Sequence, residues 1–181
     1  MFGALFAASA RADLQLTPKA CESWVDGAKI KFLAFADGSR KEITYGPPAG
    51  WGYSGNTNRL TLHPPGKPQA EGTITKVDLS VPAVFDDETM KKLSAEVIAS
   101  APEGSTNVTL VSQEKNPVLI ARKETFLVIV SYTFYGESYQ RSVMFLNRGN
   151  EQMRFQFVSR AVDFKELQAA FQRSQFTWRN L

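Results

Sequence analysis

The chain holds one cysteine and one histidine in 181 residues, and no apolar run long enough to span a bilayer. Each scarcity excludes a class of protein. With Cys21 alone no intrachain disulfide can form, and Pro18 stands where a lipoprotein signal places an apolar residue, so Cys21 does not read as a lipid anchor. Zinc and copper centres need several His or Cys ligands. A Ser-His-Asp or Cys-His site would have to use His63, which precedes Pro64-Pro65 outside any nucleophile-elbow context. No Gly-x-x-x-x-Gly-Lys or Gly-x-Gly-x-x-Gly run is present, so the usual phosphate and dinucleotide fingerprints are missing. Asp86-Asp87-Glu88 could attract a hard cation, but a helix start needs the same residues. No catalytic residue, metal ligand or cofactor is assigned, and the protein is expected to be a binding or accessory protein and not an enzyme, with a small-ligand carrier and an enzyme of unrecognised type as the alternatives.

What is present is ordinary globular composition: 43% hydrophobic and 22% charged residues, with thirteen Phe, five Tyr and three Trp to fill a core. Net charge is +3, with the basic residues scattered, so the face of concentrated charge that a nucleic-acid binder presents is not expected. Leu5-Phe6-Ala7-Ala8, followed by Ala10-Arg11-Ala12 before Asp13, resembles the end of a secretory signal peptide, although a positive n-region is missing. Residues 1–12 are therefore read as a signal-peptide remnant and 13–181 as one domain, periplasmic or secreted, without a transmembrane segment. The expected partner is another envelope protein or a small ligand, and not nucleic acid.

Along the chain, Ala28 to Phe35 alternates as a strand and Asp37-Gly38 turns. Gly46 to Asn56 reads as a loop because Pro and Gly interrupt it. Leu60 to His63 and Val77 to Val81 read as strands. Asp86 opens a helix as N-cap, with Phe85 and Met90 as a hydrophobic staple and Met90, Leu93, Val97 and Ile98 as its apolar stripe. Strands follow at 108–111, 118–121, 126–135, 139–146 and 152–158, a meander whose last strand sends Met153, Phe155 and Phe157 to one face and Arg154 and Gln156 to the other. A closing helix is expected to start at Asp163, with Glu166 completing a capping-box variant, Val162 and Leu167 as a staple, and Phe164, Leu167 and Phe171 buried. Phe176 and Trp178 imply a docked C-terminus.

This order of elements, with the turn Pro47-Pro48-Ala49-Gly50-Trp51 and the closing Phe164, Phe171, Ser174 and Phe176, resembles the PsbP-like family, named for the extrinsic photosystem II subunit and shared with a Ran-binding protein and DcrB-like envelope proteins. The resemblance implies an α+β fold: an antiparallel sheet meander packed by two main helices in an α/β/α sandwich. It implies an accessory or binding role and carries over no site residue. Trp51 and Tyr53, in a Gly-rich segment, are the candidate contacts for a ligand or partner; the structural alternative is that Trp51 plugs one end of the core.

Overall fold

The computed structural model describes residues 14–38 and 42–181. Its organising strand is β10 (Glu151–Arg160), where strict alternation buries Met153, Phe155 and Phe157 on one face. β10 pairs antiparallel with β9 (Glu137–Arg148), β9 with β8 (Thr125–Phe134), and β8 with β7 (Thr106–Lys115). Tight turns make the meander possible: Tyr135 and Gly136 at φ 49° and 78°, and Gly149 at 65°, take the left-handed conformation that two-residue hairpins need. On the other side β10 pairs with β6 (Glu71–Asp78), followed by β5 (Arg59–His63) and β4 (Gly52–Asn56). The resulting seven-stranded sheet has the order β4-β5-β6-β10-β9-β8-β7.

Each face carries one helix. Helix α1 (Asp87–Ala99) lies against β7 and β8, closing a small core of Phe85, Leu93 and Val97 on Phe126, Val128, Val130, Val143 and Phe145. Helix α2 (Ala161–Gln175) lies on β10 and β9 across the opposite face, where Phe164 and Phe171 meet Phe157. The expected α/β/α sandwich is thus the observed architecture. Gly72 lets α2 approach closely, since a Cβ there would stand 3.1 Å from the Phe171 ring.

A three-stranded sheet, β1 (Lys19–Val25), β2 (Ala28–Phe35) and β3 (Ile43–Tyr45), adds to the α2 side. Leu33, Phe35, Ile43 and Tyr45 join its inner end to the main core. The C-terminal segment clamps it there. Trp178 stacks on Tyr45 at 4.7 Å and on Phe35 at 5.4 Å between centroids, and Thr44 and Arg179 exchange backbone hydrogen bonds of 3.0 and 3.3 Å. The Tyr45 hydroxyl meets Ser174 Oγ at 2.7 Å. Beyond the core, buried Asp37 accepts from Arg148 at 2.9 Å, and Arg148 also donates to Glu151 at 2.7 Å.

The helix start at Asp86 stands as expected: Asp86 Oδ1 accepts from the Thr89 N–H at 2.8 Å, which holds its carboxyl below the ordinary value, and Met90 packs against the cluster containing Phe85. Several boundaries differ from expectation. Cys21 does not precede the first strand but lies in β1. Within the loop expected at 46–56, Gly52–Asn56 forms an edge strand, because Asn56 Oδ1 accepts from the Asn58 and Arg59 N–H groups and turns the chain back onto β5. The strand expected at 77–81 lies earlier, at Glu71–Asp78, since pairing with β10 and β5 sets the register and leaves Val81 exposed. Residues 118–121 form no strand; Ala121 and Arg122 take positive φ and Ile120 makes one isolated bridge to Lys123.

The closing helix begins two residues earlier than expected. Arg160 occupies its N-cap without a side-chain bond, Asp163 pairs instead with Lys67 at 2.6 Å, and Val162 is 86% exposed and so staples nothing. Of the two terminal aromatics Trp178 is buried, whereas Phe176 is half exposed. The expected signal remnant at 1–12 lies outside the described residues. No described helix is long and apolar enough to cross a membrane.

Candidate functional site

The outer half of the three-stranded sheet is where apolar side chains leave the core. Asp26 and Gly27, at φ 50° and 79°, form the two-residue turn that sets Val25 opposite Ala28 and carries the register back to Lys19 opposite Ala34. Period-2 alternation then sorts the hairpin into two faces. Glu22, Trp24, Lys29 and Lys31 share the face of Leu33, which is buried in the main core. Cys21, Ser23, Val25, Ile30 and Phe32 share the other. Past Lys31 the hairpin projects from the body as an arm: Trp24 is 72% exposed, and Val25 and Ile30 are nearly half exposed. A monomer gains nothing by holding a tryptophan in water, so such groups together mark a contact surface.

Charge is ordered on the Trp24 face. Lys29 Nζ lies 2.5 Å from Glu22 Oε2, and that hydrogen bond, with the charges of Lys29 and Lys31, holds the Glu22 carboxyl below its ordinary value. Glu22 is therefore neutralised locally, leaving Lys31 to give this face a positive excess. The strand is also open along its edge. β1 pairs only with β2, and among the described residues no other backbone reaches its outer N–H and C=O groups. Such an edge is a template for another strand.

At the foot of the arm a cleft of about 190 Å³ opens among Tyr53, Pro47, Phe32, Cys21, Glu22 and Lys31. Tyr53 reaches it from edge strand β4, 41% exposed. That strand is held close to the arm's root at Gly55, where a Cβ would stand 2.7 Å from Pro18 Cδ and 2.8 Å from the Leu16 carbonyl oxygen; only glycine fits. Trp51 is placed elsewhere. It packs against the main core, 5.8 Å from Phe157 and stacked at 6.5 Å on Phe171, so the two candidate contacts are not brought onto one surface.

Cys21 is a free thiol, partly exposed on the arm. His63 ends β5, exposed, on the face opposite buried Leu60 and Leu62. Among the described residues no group of three His, Cys, Asp or Glu side chains could hold a metal ion. Of the arm only its second strand, Ala28 to Phe35, was expected, although Asp26-Gly27 between two runs of strand-forming residues is a hairpin signal.

No family model matches the chain, and no curated protein matches it. Solved structures similar to it include a protein of unknown function from Pseudomonas aeruginosa, 13% identical over 87% of this chain and 94% of that one, with a TM-score of 0.47. Cyanobacterial PsbP from Synechocystis is 9% identical over 98% of each chain, with a TM-score of 0.49. LpqN of Mycobacterium tuberculosis, a protein involved in cell envelope biogenesis, is 10% identical over 91% of this chain and 90% of that one, with a TM-score of 0.47.

Proposed function

We propose that this chain is an exported, non-catalytic accessory protein of the cell envelope that docks on a partner protein through the β1–β2 arm. The observation that carries the reading is the coincidence on one hairpin of an exposed tryptophan, two exposed β-branched residues and an open strand edge. The occupant that fits is an extended segment of the partner. It would add as a strand beside β1, taking its affinity from main-chain hydrogen bonds and its selectivity from side chains alternating along it. Trp24 sets the chemistry of that segment: an apolar side chain on the added strand packs against its exposed ring. Tyr53, at the arm's foot, extends the same surface. In the same reading residues 13–181 form one unit and residues 1–12 are removed on export.

The test is a photo-crosslinking residue placed at position 24 in cells, with position 84 as an exposed control. Position 24 should capture one defined envelope protein and position 84 should not. The purified partner should then bind the Trp24→Ala variant at least about tenfold more weakly, as removal of a central aromatic anchor does. Equal capture at both positions, or undiminished binding by Trp24→Ala, would overturn the proposal.

A further inference from the structure

The opposite side of the molecule carries a second feature, independent of the arm. Helix α1 covers β7 and β8, so the same face of β10, β6 and β5 stays uncovered beside it. Register places Arg59, Thr75 and Arg154 in one row across three adjacent strands, and Thr61, Thr73 and Gln156 in the next. A cleft of about 190 Å³ lies between this floor and α1, smaller than the roughly 300–1,000 Å³ of pockets that take drug-sized ligands. It offers no apolar ledge: Val97, Val143 and Phe145 reach it but are only 3%, 5% and 1% exposed, and the Arg154 guanidinium lies 5.5 Å over the Phe145 ring. Recognition there is polar, and its occupant is compact.

Charge sets the sign of that occupant. Arg59 and Arg154 line the cleft from β5 and β10, and Glu96 of α1 is the one carboxylate among its lining residues. Glu71 is not among them; it accepts from Arg59 Nη2 at 2.8 Å and from Thr73 Oγ1 at 3.0 Å. A third guanidinium stands at the C-terminal end of α1, where Arg141 Nη1 donates to the carbonyl of Ser100, a lining residue, and to its Oγ at 2.8 Å. There it offsets the negative end of the helix dipole. Even with Glu71 counted, three guanidinium groups stand against two carboxylates, an excess of one positive charge.

Donors are in surplus as well. Arg59 is held through Nε by Thr61 at 3.3 Å and through Nη2 by Glu71 and Thr73, which leaves Nη1 unengaged among the described residues. Arg154 is held through Nε by Gln152 at 3.2 Å and pairs with Glu96. Beside these two fixed guanidinium groups, the Thr75 hydroxyl and the Gln156 amide have no hydrogen-bond partner among the described residues, though both side chains are partly buried. Four donor-bearing side chains thus line one small cavity, against a single carboxylate already engaged by Arg154. We infer that this cleft binds a small oxyanion, a phosphate or the carboxylate of a short organic acid. Its oxygens accept from Arg59, Arg154, Thr75 and Gln156, and guanidinium groups make the shorter, stronger bonds of the charge-assisted kind.

The test is amide chemical-shift titration with phosphate, acetate, succinate and citrate at matched ionic strength, with glucose as a neutral control. Phosphate or at least one of the carboxylates should shift amides of residues 73–75, 96–100 and 154–156 in a saturable way, and the anion that does so identifies the source of the oxygens. Thr75→Val, which removes one donor and leaves both ion pairs intact, should weaken that binding about tenfold. Gln156→Glu should abolish it, because the new carboxylate takes the place of the ligand beside the two guanidinium groups. For the same reason its melting temperature should not fall below the parent's, which separates lost binding from lost folding. No saturable shift with any of the four anions, shifts confined to other residues, an equal response to glucose, or undiminished binding by both variants would overturn the inference. So would a Gln156→Glu protein that melts well below the parent, since the cleft would then repel the added negative charge.

Discussion

The two ends of the three-stranded sheet share strands but almost no surroundings. At the inner end Trp178 is 2% exposed, stacked on Phe35 and Tyr45 and held by the C-terminal clamp. At the outer end Trp24 is 72% exposed on a two-stranded ribbon. Isolated ribbons of two strands are marginal in water, so the arm owes its shape to the anchoring of its root. The difference teaches that the same sheet serves two purposes. Its root contributes to the core, and its tip contributes surface.

That contrast is broken most severely by removing everything after Arg160, which deletes Phe164, Phe171 and Trp178 together. Losing a buried Phe or Trp costs about 3–5 kcal/mol, so three such losses, about 9–15 kcal/mol, match the roughly 5–15 kcal/mol by which domains are stable. No cooperative unfolding transition should remain by circular dichroism. A sharp melt near the parent temperature would show that the inner end does not depend on α2.

Trp178→Ala alone should cost about 3–5 kcal/mol, read as a lower urea midpoint at an unchanged slope. Asp37→Ala, which leaves Arg148 partly buried with Glu151 as its remaining carboxylate partner among those described above, should cost about 3 kcal/mol by the same measurement.

Tyr45→Phe sharpens the comparison through pH. Burial pushes the Tyr45 phenol well above its ordinary value, and the Ser174 hydrogen bond offsets this only in part. Because the folded value exceeds the unfolded one, this contribution to stability is fully present below about pH 10 and is lost as pH rises beyond it. The Phe variant should lose about 1 kcal/mol at neutral pH, from the missing hydrogen bond, and should show a shallower alkaline decline than the parent. Trp24→Ala should have the smallest effect, within about 0.5 kcal/mol of the parent, as expected for an exposed side chain.

The inner end was more legible in the sequence than the outer, and the reason is burial. Met153, Phe155 and Phe157 alternate because one face of β10 is packed, and Asp86 announces its helix because the cap is a local bond. Alternation fails as a guide where both faces are wet, which is why β1 went unread. It also misleads where pairing overrides pattern: β6 takes its register from β10, so the apolar alternation at Val77, Leu79 and Val81 runs past the strand's end. β4 was hidden by its glycines, and Gly55 is there because the chain passes too close for a Cβ. Nothing local marks the row of Arg59, Thr75 and Arg154, whose members come from three strands far apart in sequence.

The central claim is that the outer edge of β1 is an open strand waiting for a partner, and amide hydrogen exchange tests it most directly. In the free protein the outward N–H groups of Ala20 to Val25 should exchange rapidly while those of Ile43 to Tyr45 are protected. On addition of the protein captured at position 24, alternate amides of β1 should become protected along the strand. If they stay unprotected in a saturated complex, the partner does not add to this edge and the account is wrong.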